Sequence, residues 1–186
     1  MSNKKTIIIL FLCCCSCASK SPIKEDRSFI YLTNNSKYFL LPSENIENSL
    51  DMPQRISASW QGKELIFNAW VKADESGMEM ILLNEFGVNI GELSYQNGLV
   101  AFSSTLLFPK SLKSEYIVAD FQLCFYNTPA LRNALKDCGL TFENTGNTRR
   151  IFQGKNVIIE IEKNKNNIRL INHLRGYTYT LEGNFE

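Results

Sequence analysis

Residues 56–73 read ISASWQGKELIFNAWVKA, two runs in which apolar and polar side chains alternate, separated by Gln61 and Gly62. This alternation is typical of strands with one buried face, because successive side chains of a strand point to opposite sides of a sheet. A two-residue turn at Gln61 and Gly62 would pair Ala58 with Leu65. The same register collects these apolar side chains on one face: Ile56, Ala58, Leu65, Phe67, Ala69 and Val71. The stretch therefore predicts an antiparallel hairpin.

Turn signals continue this pattern along the chain. After a turn at Gly77, residues 78–84 are predicted to form a strand. Asn97 and Gly98 are the strongest hairpin signal, and a turn there opposes Leu93 to Phe102. Beyond residue 139 the alternation predicts further strands at 140–143, 149–152, 156–162, 168–172 and 177–181.

Between residues 111 and 139 the apolar period becomes that of a helix. The first predicted helix has the apolar face Ile117, Phe121, Cys124 and Phe125. A second helix is predicted to begin with Thr128 as its N-cap and Pro129 in its first turn, and to end before Gly139. Its apolar face comprises Leu131, Ala134, Leu135 and Cys138.

These elements predict a mainly β (α+β) fold. About ten strands without a βαβ rhythm favour one strongly curved antiparallel sheet, an unclosed barrel with the two short helices on its concave side. Residues 29–41 are apolar and end at Pro42, which predicts an extended arm or a short helix packed onto the domain.

The first residues are typical of an export signal. Lys4 and Lys5 precede an apolar run at residues 7–15, which is too short to span a membrane because a span needs roughly 20 apolar residues. We predict a lipoprotein signal peptide at residues 1–16 and lipidation, with acyl chains such as palmitate, at Cys17. Two alternatives stay open: lipidation of Cys15, or cleavage after Ala18 without a lipid.

This assignment gives a three-part organisation. Residues 17–37 would be the lipidated N-terminus and a tether, and residues 38–186 a single β domain. Ala18 and Ser19 directly follow Cys17 and neither is Asp, so nothing resembles the inner-membrane retention signal of enterobacterial lipoproteins. We expect an outer-membrane protein, held by its lipid anchor and facing the periplasm.

Charge and cysteine content bear on the class of partner and on the presence of a disulfide. The formal net charge is only +1, and the basic residues form no stripe along the sequence. We therefore expect no nucleic-acid partner. Arg149 and Arg150, the one tight basic pair beyond the signal, are interpreted as a solvated hairpin end. Cys124 and Cys138 lie on the apolar helix faces, which favours two small buried hydrophobes over a disulfide.

The sequence contains few residues in arrangements suited to catalysis. His173 is the only histidine, and Glu160 and Glu162 alternate with apolar residues as on any half-solvated strand. We therefore predict a protein that is not an enzyme, with no catalytic residue, no metal site and no cofactor.

Large apolar side chains are abundant, which fits either a well-filled core or an internal pocket for acyl or polyene chains; on a lipid-anchored domain we predict the pocket. The predicted ligand-binding residues are Phe67, Met80, Leu82, Phe102, Ile117, Phe121 and Phe125. Phe86 and Val88 flank the bend at Gly87, where a large aromatic is either folded back over the core or exposed for contact with an apolar partner. We predict the second, with both residues in contact with the membrane.

Several short motifs resemble one family. They are Leu40-Leu41-Pro42, Gln54-Arg55, Phe86-Gly87, Leu93-Ser94-Tyr95, Asp120-Phe121-Gln122-Leu123 with Pro129 and Leu131, then Arg150, Gly154 and Gly176-Tyr177. Together they resemble an outer-membrane lipoprotein family of bacterial aryl polyene biosynthesis clusters, which in turn resembles the lipoprotein carrier LolA and receptor LolB.

The resemblance implies a LolB-like unclosed barrel around a hydrophobic cavity. It also implies a carrier or acceptor that binds an amphiphilic ligand, such as a lipid or polyene, and assists its transfer or insertion in aryl polyene lipid biosynthesis or export. Envelope biosynthesis or transport proteins would be its partners. Two alternatives remain: a non-catalytic scaffold lipoprotein of an envelope complex, and an acyl-chain hydrolase with His173 as base.

Overall fold

The computed structural model describes residues 27–106, 108 and 112–185, so the predicted signal peptide and Cys17 lie outside the described residues. The strands are β1 Phe29–Tyr31, β2 Lys37–Phe39, β3 Leu50–Trp60, β4 Lys63–Asp74, β5 Gly77–Leu83, β6 Asn89–Gln96, β7 Leu99–Ser104, β8 Thr141–Asn144, β9 Thr148–Gln153, β10 Asn156–Lys163, β11 Asn167–Asn172 and β12 Tyr177–Glu182. The helices are α1 Ser114–Phe125 and α2 Thr128–Asp137. Within the described ranges, neither helix has the length and hydrophobicity that a membrane span requires.

Ten of the strands form one antiparallel sheet in the order β7-β6-β5-β4-β3-β12-β11-β10-β9-β8, and β1 pairs with β2 separately. The two edge strands, β7 and β8, do not pair with each other, so the sheet is open. Helix α1 contacts both β7 at one edge and β11 far along the sheet. The sheet therefore curls around α1, which confirms the predicted fold class.

The hairpin turns explain why the register was predictable. Gln61 and Gly62 have φ angles of 49° and 75°, and Asn97 and Gly98 have 52° and 81°. Positive φ at both central positions is the conformation of the tight turn that matches the twist of a hairpin. The predicted pairs Ala58 with Leu65 and Leu93 with Phe102 are both present.

The second helix starts one residue before the prediction. The N-cap of α2 is Asn127, not Thr128, because the Asn127 side chain accepts a hydrogen bond from the Ala130 backbone N–H at 3.0 Å. Thr128 is the first helical residue, and its hydroxyl accepts a hydrogen bond from Asn144 Nδ2 of β8 at 2.6 Å. This contact attaches α2 to an edge of the sheet.

The packed fold begins before residue 38. Residues 29–41 form the hairpin β1–β2, which is extended rather than helical, and Ile30 and Leu32 belong to the hydrophobic core. The buried Gln122 of α1 holds the end of this segment: its Oε1 accepts a hydrogen bond from the Leu41 N–H at 2.9 Å, and its Nε2 donates to the Leu41 carbonyl at 2.8 Å. The predicted boundary between tether and domain is therefore too late in the chain.

Arg149 corrects the interpretation of the Arg149–Arg150 pair. Its side chain is 2% exposed, and its Nη1 donates to the carbonyls of Leu123, Cys124 and Tyr126 at 2.9, 3.1 and 2.9 Å. The last carbonyls of a helix lack partners within the helix and carry partial negative charge. Arg149 satisfies them at the end of α1, and its Nη2 pairs with Glu47 at 3.0 Å. A solvated hairpin end is thus wrong for Arg149, since its position in β9 points it at the helix.

Candidate functional site

A cavity of about 630 Å³ lies between the concave face of the sheet and α1. Its walls come from β3, β4, β5 and β12, from the turn before β12, and from the N-terminal half of α1. The volume falls within the roughly 300–1,000 Å³ typical of ligand sites. Most side chains of the wall are apolar, as the sequence predicts.

Five of the seven predicted ligand-binding residues line this cavity: Phe67, Met80, Leu82, Ile117 and Phe121. Phe67, Met80 and Leu82 come from the concave face of β4 and β5, and Ile117 and Phe121 from facing turns of α1. The residues predicted from strand alternation and those predicted from helical spacing thus line the same cavity.

Phe102 and Phe125 do not line this cavity. The Phe102 ring packs against Phe108, with 4.9 Å between ring centroids, on strand β7 beyond the cavity wall. Phe125 lies one helical turn beyond Phe121, where it stacks on Phe121 at 4.7 Å and on Phe185 at 5.8 Å. Both rings are packed by other aromatics, so neither is part of the cavity wall that the other five residues form.

The cavity is closed at one end and open at the other. Gln54 and Leu82 at one end of the lining are buried, whereas Trp60, Leu112 and Leu174 at the other are substantially exposed. Gln54 and Trp60 are six residues apart on β3, which corresponds to about 20 Å of strand. The cavity is therefore elongated, and we call the side of Trp60 and Leu174 the open end.

A buried carboxyl group lies in the wall near the open end. Asp120 of α1 is 8% exposed, and the hydroxyl of Tyr177 lies 3.0 and 2.8 Å from its two carboxyl oxygens. Burial raises the pKa of the Asp120 carboxyl to about 7, against the lowering effects of the Tyr177 hydrogen bond and the Arg175 charge. Asp120 is thus partly protonated near neutral pH.

Two cations also line the open end. Arg175 stacks its guanidinium over the Tyr116 ring, 4.7 Å from the ring centroid, and its Nη2 donates to the Tyr116 hydroxyl at 2.9 Å and to the Tyr31 carbonyl. Lys113, the residue that precedes α1, is the second. The open end therefore combines cationic and apolar groups.

Gln54 adds a polar group at the closed end. Its side chain lines the cavity, it is buried, and its Nε2 has no hydrogen-bond partner among the described residues. An unpartnered buried donor is costly, at roughly 1–3 kcal/mol. The closed end is therefore not uniformly apolar.

Five lining residues were not predicted from the sequence: Gln54, Lys113, Asp120, Arg175 and Tyr177. A signal existed for two of them. Asp120 lies between Ile117 and Phe121 on the predicted apolar face of a helix, and Gln54 continues the alternation of Ile56 and Ala58. A polar residue on a buried face is informative because burial without a role is unfavourable.

The residues considered for catalysis lie elsewhere. His173 is outside the cavity lining, and its Nε2 lies 3.8 Å from Glu160. Cys124 and Cys138 are free, as predicted, and burial raises the pKa of each thiol to about 11, so both are protonated at neutral pH. In the part of the chain that is described, His, Cys, Asp and Glu side chains form no group of three suited to a metal ion.

Three exposed apolar side chains lie around the bend that follows β5. Strand β5 ends at Leu83, which pairs with Asn68 of β4 and Asn89 of β6, so the bend begins two residues after Leu82 of the cavity wall. The bend carries Phe86, which is 90% exposed, and Val88. The exposed Leu106 follows β7, whose last residue, Ser104, pairs with Gly91 just after the bend. We call Phe86, Val88 and Leu106 the apolar rim.

Comparison with known proteins adds one finding. No curated protein matches the chain in sequence. A family model described as "Protein of unknown function (DUF3261)" matches residues 51–183, a range that includes the ten-stranded sheet, both helices and most of the cavity lining. The chain therefore belongs to the DUF3261 family.

Proposed function

We propose that this protein binds a hydrophobic or amphiphilic ligand in the cavity between the sheet and α1. The observation that carries the proposal is the cavity itself: about 630 Å³, elongated, open at one end and walled mainly by apolar side chains. Burial of a methylene group contributes about 0.8 kcal/mol, so an alkyl or polyene chain is the ligand that such a wall favours.

We further propose that the protein is an outer-membrane lipoprotein, anchored through Cys17 and facing the periplasm, that assists transfer or insertion of this ligand. The motif resemblance to lipoproteins of aryl polyene clusters, and through them to LolA and LolB, suggests an aryl polyene lipid as the cargo. An open sheet around a helix-covered cavity agrees with that proposal. An anchored acceptor needs no catalytic group.

Filling the cavity is expected to abolish ligand binding. Ala58 lies in the middle of the β3 wall, so Ala58→Phe places a ring in the space that the ligand would occupy. Ser57→Phe adds the same ring on the opposite face of the same strand and is the matched control. We expect lipid to co-purify with the unsubstituted chain and with Ser57→Phe, and not with Ala58→Phe, in native mass spectrometry of protein from its own cells.

The same experiment separates the alternatives. A ligand-free chain that also fails to bind an apolar fluorescent dye would contradict the proposal and favour the scaffold function. Equal lipid content in both variants would place the binding site outside the cavity. Chemical turnover of an acyl ester by the unsubstituted chain would favour the hydrolase.

The apolar rim is proposed to contact the membrane, with Phe86 at its tip. Asn84 Oδ1 holds this bend by accepting hydrogen bonds from the N–H groups of Phe86 and Val88 at 3.0 and 2.9 Å, so the bend does not depend on the Phe86 side chain. We expect Phe86→Glu to lower binding to liposomes of the chain from Ala18 onward and to leave its melting temperature unchanged. This chain keeps every described residue and lacks the anchor.

Leu99→Glu is the control for this prediction. Leu99 is also an exposed apolar residue, but it lies in the β6–β7 hairpin at the opposite end of the sheet. Liposome binding that falls equally in both variants would mean a nonspecific charge effect. A large loss of stability in Phe86→Glu would mean that Phe86 packs on the core, and either result would contradict the proposed contact.

A further inference from the structure

The charges around the open end are unbalanced. Lys113 and Arg175 both line the cavity there, and no carboxylate of the described residues forms an ion pair with either one. Asp120 is the only acidic residue in the described lining, and it is buried beside the Tyr177 hydroxyl. An opening with two cations and one shielded carboxyl attracts anions.

The Arg175 guanidinium is held in place, and some of its N–H groups remain available for a ligand. Its bonds to Tyr31 and Tyr116 both use Nη2. Among the described residues, Nη1 and Nε have no such partner, and a guanidinium has five N–H donors in a planar array suited to carboxylate or phosphate oxygens. Stacking on Tyr116 fixes the plane of the group.

From this arrangement we propose that the ligand is an anionic amphiphile, whose carboxylate or phosphate lies at Lys113 and Arg175 while its apolar chain runs along β3 toward Gln54. This inference rests on the proposed function and adds the class of head group and the direction of the ligand. The head group remains near solvent, because burial of a charge costs desolvation free energy, and the apolar chain of the ligand enters the buried part of the cavity.

Asp120 makes the affinity depend on pH. It faces Tyr177 and Tyr179 of β12, Arg175 of the preceding turn, and Cys124 of its own helix. Well below pH 7 the neutral Asp120 places no negative charge beside Arg175. When the pH rises through about 7, the carboxyl ionises and its negative charge opposes an anionic head.

The experiment measures displacement of a fluorescent apolar probe from the chain that begins at Ala18. Two anionic amphiphiles, palmitate and palmitoyl-lysophosphatidylglycerol, are compared with the uncharged hexadecanol and monopalmitoylglycerol. We expect each anion to bind about tenfold more tightly than its uncharged counterpart, the size of a charged hydrogen bond. The better of the two anions identifies the head group as carboxylate or phosphodiester.

Variants assign the preference to residues. Lys113→Gln with Arg175→Gln should remove the preference for anions, whereas Arg175→Lys should keep part of it and Lys136→Gln, on exposed α2, should keep all of it. Lysophosphatidylglycerol stays singly charged, so the loss of its affinity above pH 7 reports on the protein. Asp120→Asn keeps an acceptor for Tyr177 and should remove this pH dependence.

Two outcomes would overturn the inference: equal affinity for anions and uncharged analogues, or an anion preference that survives in the Lys113→Gln, Arg175→Gln variant with a normal melting temperature. Either result would leave binding in the cavity intact. Failure of all four amphiphiles to displace the probe would instead contradict the proposed function.

Discussion

Replacement of Arg149 by methionine is expected to lower the free energy of unfolding by about 3–5 kcal/mol, because three carbonyls lose their donor at roughly 1–3 kcal/mol for each one left unsatisfied, whereas Glu47, whose side chain is 49% exposed, remains hydrated. The guanidinium bonds three carbonyls at the end of α1 and pairs with Glu47. Methionine preserves much of the side-chain volume but donates no hydrogen bond. The Leu123, Cys124 and Tyr126 carbonyls would lose this donor where water has little access. Urea unfolding followed by circular dichroism measures the change.

Arg150→Met is the matched control. The neighbouring Arg150 side chain is 43% exposed and pairs with Glu160 at 2.7 Å, and an exposed pair of this kind contributes at most about 1 kcal/mol. If both variants unfold at the same urea concentration, the network around Arg149 does not stabilise the fold. A loss larger for Arg150 than for Arg149 would contradict the assigned burial.

Phe121→Ala is expected to cost about 3 kcal/mol of stability, the lower end of the range for such truncations. The ring is buried against Phe125 and Tyr126 and loses those contacts, but its other side already borders the cavity, so less new void is created. The same substitution enlarges the cavity and should change the affinity for an apolar probe. Melting temperature and probe binding are measured on the same variant.

Phe125→Ala tests whether the two effects separate. Phe125 stacks on Phe121 from the next turn of the same helix and lies outside the cavity lining. We expect a similar stability loss and unchanged probe binding. If neither the unsubstituted chain nor the variants bind the probe, Phe121 is only core and the cavity has no ligand.

The hairpins were predictable because their determinants are local. Gly62, Asn97 and Gly98 adopt the positive φ angles that Gly and Asn favour, and Gln61 adopts one as the partner of Gly62 in a two-residue turn. These turns set the pairing of the long strands on either side of them. The helix start at Asn127 was missed by one residue, since Asn and Thr are both good N-caps and only the observed bond to Ala130 decides between them.

The site was less predictable because its polar groups depend on distant parts of the chain. Arg149 resembles a surface residue until β9 brings it to the carbonyls of α1, 23 to 26 positions earlier in sequence. Arg175 and Lys113 meet at one opening only because the sheet curls. Apolar periodicity placed Phe67 and Phe121 on faces that line the cavity, but it cannot tell a cavity wall from a packed core, so it did not separate them from Phe102 and Phe125, which lie outside the lining.

Helix α1 is held more firmly at its end than at its start. Its last turns are buried and held by Arg149, by the Gln122 bonds to Leu41 and by the bridge between Tyr126 and Ile46. Residues 114–117 are only partly buried, and the partly exposed Tyr116 supplies their contacts with Tyr31 and Arg175. Amide hydrogen exchange should therefore slow steadily from the first turn to the last, because local opening needs fewer broken contacts at the start. The least protected turn borders the open end of the cavity, so fraying of this one turn would widen the entrance without unfolding of the sheet, but only after Tyr116 loses its contacts with Tyr31 and Arg175.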